Sequence, residues 1–341
     1  MCQVCKNLFV LLLISFLISS CGVEENNNSA THYKLVKEVK PVEIQLAEPF
    51  NSNDMEYSGL TTHDDKLILL PQYFLGFDKD TTGFIFSIDF NRIREYLNSI
   101  NTSPIVPESI KVYASGFQRF NHRGSGYEAI TFVGDEVFIL IEDIGTPTKT
   151  YIAKGIYDDE ENTVHFDSST ITQLPQQSYI RNYGYETLFT IGENTIAIQE
   201  LNGKNNCNSR NAYEYTTSLN ILKTFKLPII EYRITDATIF ENNSFYVINY
   251  FWPGDYDLLK PGKDLIAEKY GIGEHQSESK GIERILKMKI EGDSLIVAGK
   301  PIYILPYDSQ SSNWEGIAKF DNGFILVTDT YPHTRLVYVE E

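Results

Sequence analysis

The chain has 341 residues, a formal net charge of −17, 13% aromatic residues including 22 Tyr and 20 Phe, and 3 Met. That acidity excludes nucleic acid and anionic headgroups as surfaces for general adhesion. The length suffices for one large core, and the wealth of aromatic and β-branched side chains suits pleated sheet rather than a helical bundle.

At the start, Lys6 precedes an apolar run from Leu8 to Ile18, followed by Ser19-Ser20-Cys21-Gly22. So short a run ending in small residues reads as a secretory signal, not a spanning helix. The residues before Cys21 look like a bacterial lipobox, so residues 1–20 are expected to be a lipoprotein signal peptide and Cys21 the acylated, palmitate-bearing first residue. An ordinary signal peptide cleaved nearby is the alternative. Residues 21–32, acidic and then Asn-rich, read as a flexible tether. The expected location is the cell envelope, anchored by lipid to the outer membrane and facing the periplasm or the surface. With Cys2 and Cys5 lost and Cys21 lipidated, Cys207 stands alone, so no intrachain disulfide is expected in this oxidising compartment.

Residues 33–341 read as short strands separated by Gly, Asn, Asp and Pro turns. One tag recurs along them: an aromatic residue, an acid, a small residue and an aliphatic one, with a second polar residue about fourteen positions on. Tyr57-Ser58-Gly59-Leu60 with Gln72 is a weak first copy; Tyr127-Glu128-Ala129-Ile130 with Glu142 and Tyr185-Glu186-Thr187-Leu188 with Glu200 are strong ones. Thr235-Asp236-Ala237-Thr238 with Asn249 is weak again, and Trp314-Glu315-Gly316-Ile317 with Asp329 completes the series. Each copy spans strand, turn and strand, so a hairpin brings its two polar residues to one end. Two further strands follow each of the first four hairpins, which gives four-stranded blades. Helical spacing is confined to Asn91–Ile100 and Leu258–Tyr270, and residues 251–281 form an insertion.

The fifth unit runs out of chain after Thr334–Val339, and the missing strand is available at Tyr33–Leu46, as Lys34-Leu35-Val36 or Val42-Glu43-Ile44. The fold class is therefore all-β, a five-bladed β-propeller whose last blade is completed by an N-terminal strand; such closure leaves no open edge. Six blades, one of them degenerate, is the rival. The whole is expected to be monomeric.

A radial array points the tags at one axis. Glu128, Glu186, Asp236 and Glu315 would repel there unless protonated or joined by a cation. Oxygen donors without His or Cys suit Ca2+, and Ser58, Gln72, Glu142, Glu200, Asn249 and Asp329 would lie around that site. The bland alternative is that such acids accept backbone amides of the next blade and bind nothing. The loops at the same face hold Arg119, Arg123, Arg181, Arg210, Arg233, Arg284 and Arg335, seven of nine arginines, and also His122 and His333. Guanidinium groups beside a divalent ion suit an anionic small molecule or an acidic glycan, Arg119, Arg123, Arg181, Arg233 and Arg335 being the residues to hold it. His122 and His333 are candidate proton-transfer groups. No Gly-x-Ser-x-Gly elbow and no phosphate-cradling loop occurs.

Asn313-Trp314-Glu315-Gly316-Ile317 with Gly323–Pro332, together with Ile248–Asp255 and Gly281–Arg284, resembles the last two blades of the propellers labelled phytase-like, or "esterase-like activity of phytase". The resemblance is specific over Phe245–Val339. The five-blade plan is also similar to that of the calcium-activated nucleotidases, in architecture and metal only. These features lead to the expectation of a lipid-anchored propeller with channel Ca2+ that hydrolyses an anionic ester, phosphoester or similar. A non-catalytic binding or scaffold lipoprotein with structural Ca2+ is the alternative, and a Ca2+-dependent lactonase or esterase, with an apolar pocket, is a third.

Overall fold

The computed structural model describes residues 33–76, 81–122, 124–306, 311–330 and 333–341. The expected signal peptide, Cys21, the whole of the expected tether and Arg123 lie outside them. Tyr33–Glu341 forms one unit.

Five four-stranded antiparallel blades make up this unit. Blade one is Tyr57–His63, Lys66–Pro71, Thr82–Asp89 and Glu108–Tyr113. Blade two is Ser125–Val133, Glu136–Asp143, Lys149–Asp158 and Thr163–Gln173. Blade three is Tyr185–Ile191, Asn194–Gln199, Asn211–Tyr215 and Ile221–Lys226. Blade four is Arg233–Ala237, Phe245–Phe251, Ile282–Glu291 and Ser294–Val297. Blade five is Trp314–Phe320, Gly323–Thr328 and Leu336–Glu340, and Val42–Ile44 supplies its outer strand in antiparallel register, with Glu43 opposite Val337. The other N-terminal strand, Leu35–Val36, pairs instead with Ile272–Gly273 of the insertion. The first strands of the blades touch one another in a closed ring, from one to two, three, four, five and back to one. The fold is a five-bladed β-propeller.

Strands inside a blade are buried on both faces, which is why they read as continuous apolar runs rather than alternating ones. Side chains still alternate between the two interfaces. Val137, Ile139 and Ile141 pack toward blade one, whereas Phe138 and Leu140 pack toward blade three. Ile325 and Val327 likewise face blade one, and Leu326 faces blade four. Each interface thus has its own hydrophobic cluster, and a one-residue slip of any strand would exchange two of them. A fully buried Leu, Ile or Phe contributes about 1.5–3 kcal/mol.

The helices depart from expectation in detail. The first is Phe90–Leu97, capped by the Asp89 carboxylate on the Asn91 N–H at 2.7 Å. Leu258–Tyr270 is not one helix but parts of two, Tyr256–Leu259 and Leu265–Tyr270, because Pro261 and Gly262 interrupt them. A further helix, Glu274–Ser279, completes the insertion.

Candidate functional site at the mouth of the propeller channel

Every first strand carries an irregularity in its register at the tag. The pairing shifts between Tyr57 and Gly59, Tyr127 and Ala129, Tyr185 and Thr187, Ile234 and Ala237, and Trp314 and Gly316. Such a bulge inserts an extra residue and re-aims its side chain. The residues so placed are Ser58, Glu128, Glu186, the pair Thr235-Asp236, and Glu315. Hydroxyls in or beside the bulges hold the ring shut: Ser58 donates to the Tyr127 carbonyl, Thr187 Oγ1 to the Ile234 carbonyl at 3.3 Å, and Thr235 Oγ1 to the Trp314 carbonyl at 2.6 Å.

A cavity of about 390 Å3 opens where these strands begin. Seven of its lining residues are acidic, Glu56, Glu128, Glu142, Glu186, Asp255, Glu315 and Asp329, and Arg233 is the basic one. Glu200 lies fully buried behind Arg233. The Arg233 guanidinium is shared: Nη2 reaches Glu315 Oε1 at 3.1 Å and Glu186 Oε2 at 3.3 Å, Nη1 reaches Asn313 Oδ1 at 3.0 Å, and Nε donates to Glu200. Gln72 Nε2 donates to Glu128 Oε1 at 3.2 Å, and Asn313 Nδ2 to Asp329 Oδ2 at 2.8 Å. Among the described residues, Glu142 Oε2 and Glu200 Oε2 are buried without a hydrogen-bond partner. Two glycines keep this space open. A Cβ at Gly126 would stand 2.3 Å from Glu128 Oε1, and one at Gly184 would stand 2.2 Å from Glu142 Oε2.

One guanidinium cannot balance this set, and burial makes the excess charge costly. Burial pushes Glu128 up to about 7 and Glu200 up to about 8, against the lowering pull of Arg233. Glu186 and Glu315 are driven well above the usual carboxylate range, first by burial and then by their neighbours' charges. The same holds for Glu142, beside Glu128 and Glu186. Arg233 is held more firmly charged than usual by the acids around it. Near neutral pH the mouth therefore stores protons.

The structure brings Glu128, Glu186 and Glu315 together with Gln72, Glu142, Glu200, Asp329 and Ser58. Asp236 follows the bland alternative: its Oδ2 accepts the Ile317 N–H at 2.8 Å and the Leu60 N–H at 3.3 Å, so it ties blades four, five and one. Asn249 is spent beneath the site, its Nδ2 on the Arg233 carbonyl at 2.9 Å and its Oδ1 accepting Arg284 Nε at 2.8 Å. Among the described residues, no three His, Cys, Asp or Glu side chains converge closely enough to grip an ion as they stand.

The arginines do not converge either. Among the described residues, Arg233 alone reaches the cavity; Arg284 is fully buried on Asp264, Arg119 stacks over Phe120 at 4.6 Å, and Arg181 is exposed. Arg335 Nε donates to His333 Nε2 at 2.8 Å, and both line a different cavity beside Leu46 and Pro104. His122 stands 3.7 Å from Asp143 and does not line the mouth. Sequence reasoning passed over Glu56, Asp255, Asn313 and Tyr183, which line it. A signal for part of this was present: Gly126-Tyr127-Glu128 and Gly184-Tyr185-Glu186 share the glycine that makes room for the acids.

The class these features define is a five-bladed β-propeller with a carboxyl-rich channel mouth. No family model matches the chain, and no curated protein matches it. Solved structures do align. One, from work on GH130 mannoside phosphorylases and glycoside hydrolases that target β-1,2 mannosidic linkages in Candida mannan, is 9% identical over 90% of this chain and 96% of its own, with TM-score 0.49. A glycoside hydrolase inferred in Bacteroides ovatus is 9% identical over 88% and 96%, with TM-score 0.48. Another, from Parabacteroides distasonis, is 13% identical over 91% and 95%, with TM-score 0.45. Nothing about this chain's substrate or chemistry follows from them.

Proposed function

We propose that the channel mouth binds a divalent cation, Ca2+ by the hardness and number of its oxygen donors, and that the protein is a lipid-anchored hydrolase acting at that site. The observation that carries this reading is the charge imbalance, one guanidinium among the clustered carboxyls, with the Glu142 and Glu200 Oε2 atoms buried and unpartnered. Glu128, Glu142, Glu186, Glu315 and Asp329 would hold the ion. Taking it up requires Glu186 and Glu315 to turn from Arg233 and the raised carboxyls to lose their protons. When bound, such an ion polarises a substrate oxygen and acidifies water.

The side chains have roles of their own. Glu128, titrating at about 7 with Gln72 across it, suits proton transfer near neutral pH. Arg233 and Asn313 form one wall and orient what enters. The expectation of an anionic ester rested on converging arginines; among the described residues Arg233 alone stands at the cavity, already shared by acids, and the reading does not extend to a substrate anion. The resemblance to the phytase-like propellers stays part of the proposal, since Asn313, Glu315 and Asp329 lie in the stretch that carries it.

The test is thermal unfolding of the purified protein in excess Ca2+ and in chelator, with metal analysis. A ligand that binds only the native state stabilises it by roughly 2.7 kcal/mol at a hundredfold excess over Kd, a shift of a few degrees here. The double variant Glu186→Gln/Glu315→Gln should lose that shift. No shift in the parent, and no calcium in the purified protein, would overturn the reading.

A further inference from the structure

Beside the acidic cavity lies a second, of about 290 Å3, lined by Arg233, Tyr250, Trp252, Asp255 and Asn313. Arg233, Asp255 and Asn313 line both, so the two are compartments of one cleft. Their chemistry differs. The first is walled by carboxyl and amide groups, whereas the second offers two aromatic rings and one carboxyl. Trp252, 48% exposed, is the half-open one. Its indole lies against the backbone of Gly254, where a Cβ would fall 2.3 Å from the ring carbons. Tyr250 is buried, with the Arg233 guanidinium 5.4 Å from its ring centre.

Charge decides what this cleft takes. Among the described residues, Arg233 is the one basic residue lining either compartment, and Glu186, Glu200 and Glu315 already share it. Glu142 Oε2 faces the matter from the other side, a carboxyl oxygen in a residue 4% exposed that has no donor among the described residues. These carboxyls offer oxygen acceptors whose protons a cation can displace, and the neighbouring rings add aromatic faces, whereas an anion finds no second guanidinium among the described residues. We infer that the Trp252 compartment is the subsite for a ligand bearing an ammonium group on a compact ring, the ring laid against the indole and the ammonium turned toward Asp255 and the carboxyl-lined cavity. This rests on the mouth being the ligand site, as proposed above. An ammonium near an aromatic face is attracted by the ring quadrupole, and like charges across an interface reject the wrong partner.

Three probes that share one ring test it: glucosamine, glucose and glucuronate, titrated by calorimetry at pH 7 into the purified protein in chelator, where no divalent ion competes for the carboxyls. Glucosamine should bind about tenfold more tightly than glucose, the equivalent of about 1.4 kcal/mol, and glucuronate most weakly. Trp252→Ala and Asp255→Asn should each weaken glucosamine binding severalfold. Trp252→Ala should keep the thermal shift with Ca2+, which shows that the variant is folded and the ion site intact. Equal binding of the three probes, binding of none, or glucosamine binding untouched by both variants would overturn the inference. A glucosamine preference in a protein that shows no Ca2+ shift would instead overturn the metal reading and leave this subsite standing.

Discussion

Blade four carries two arginines, Arg284 buried and Arg233 partly buried, that share a neighbour and differ in their surroundings. Asn249, on the strand between them, accepts from Arg284 through Oδ1 and donates to the Arg233 carbonyl through Nδ2. Arg284 has one acid: Nη1 meets Asp264 Oδ2 at 2.7 Å and Nη2 meets Oδ1 at 3.1 Å, and the Tyr303 hydroxyl lies 3.2 Å from Nη1. Asp264 in turn caps Leu265–Tyr270 by accepting the Ile266 and Ala267 N–H groups at 3.0 and 3.1 Å. One charge answers one charge, and the pair fastens the insertion to the blade. Arg233 has three carboxylates in contact and more beyond, two of them with a buried unpartnered oxygen. A balanced buried pair is a clamp. An unbalanced one must hold protons or another cation, and that need turns packing into a binding site.

Breaking the clamp should have the largest effect. Arg284→Met leaves Asp264 charged, buried and without its cation, and should cost about 3–5 kcal/mol in chemical denaturation, with or without Ca2+. Arg233→Met should cost roughly 3 kcal/mol at pH 8 in chelator, where its carboxylates are most ionised. There the two arginines part: excess Ca2+ should restore much of the loss in Arg233→Met and none in Arg284→Met. Equal rescue of both variants would erase the distinction.

The smallest effect, taken per pH unit, is the slope of stability with pH in the parent protein. Glu128 and Glu200 titrate at about 7 and about 8 in the folded protein, against roughly 4.3 for an unperturbed Glu. Between those values the native state binds more protons than the unfolded chain, so stability must fall as pH rises. In chelator the decline from these two groups alone should be about 2 kcal/mol per pH unit between pH 5 and 8. Saturating Ca2+ should flatten it, because the ion replaces the protons. A rise in stability with pH in chelator would show that the acids are ionised and satisfied as they stand.

Much of the architecture was readable in the chain. The hairpins of all five tags are there, and Val42–Ile44 closes the last blade. Those features are local or periodic: a turn, two apolar runs and a spacing of about fourteen suffice. The site was readable only in part. Glu128, Glu186 and Glu315 meet at the mouth because each stands in a bulge at the same point of its strand. Asp236 carries the same tag spacing, yet its carboxylate turns to the amides of Ile317 and Leu60. Nothing in the four-residue tag distinguishes those outcomes.

The arginines were the harder case. Loops at one face supply seven of them in sequence, but a long side chain finds its partner through contacts far along the chain. Arg233 meets Glu315 across 82 positions and Glu186 across 47. Asp255 and Asn313 joined the mouth in the same way, from an insertion and from a loop before the last blade.

The amino-acid order by itself determined the strand pattern, the five hairpins, the closing strand and the acidic tags, because turn chemistry and alternation act over a few residues. Only the tertiary structure decided which carboxyl groups share one guanidinium, which are left without a partner, and which aromatic ring stands beside them. Those depend on how five blades pack around an axis, and Coulomb and desolvation energies there act across distances in space that no spacing in the chain records.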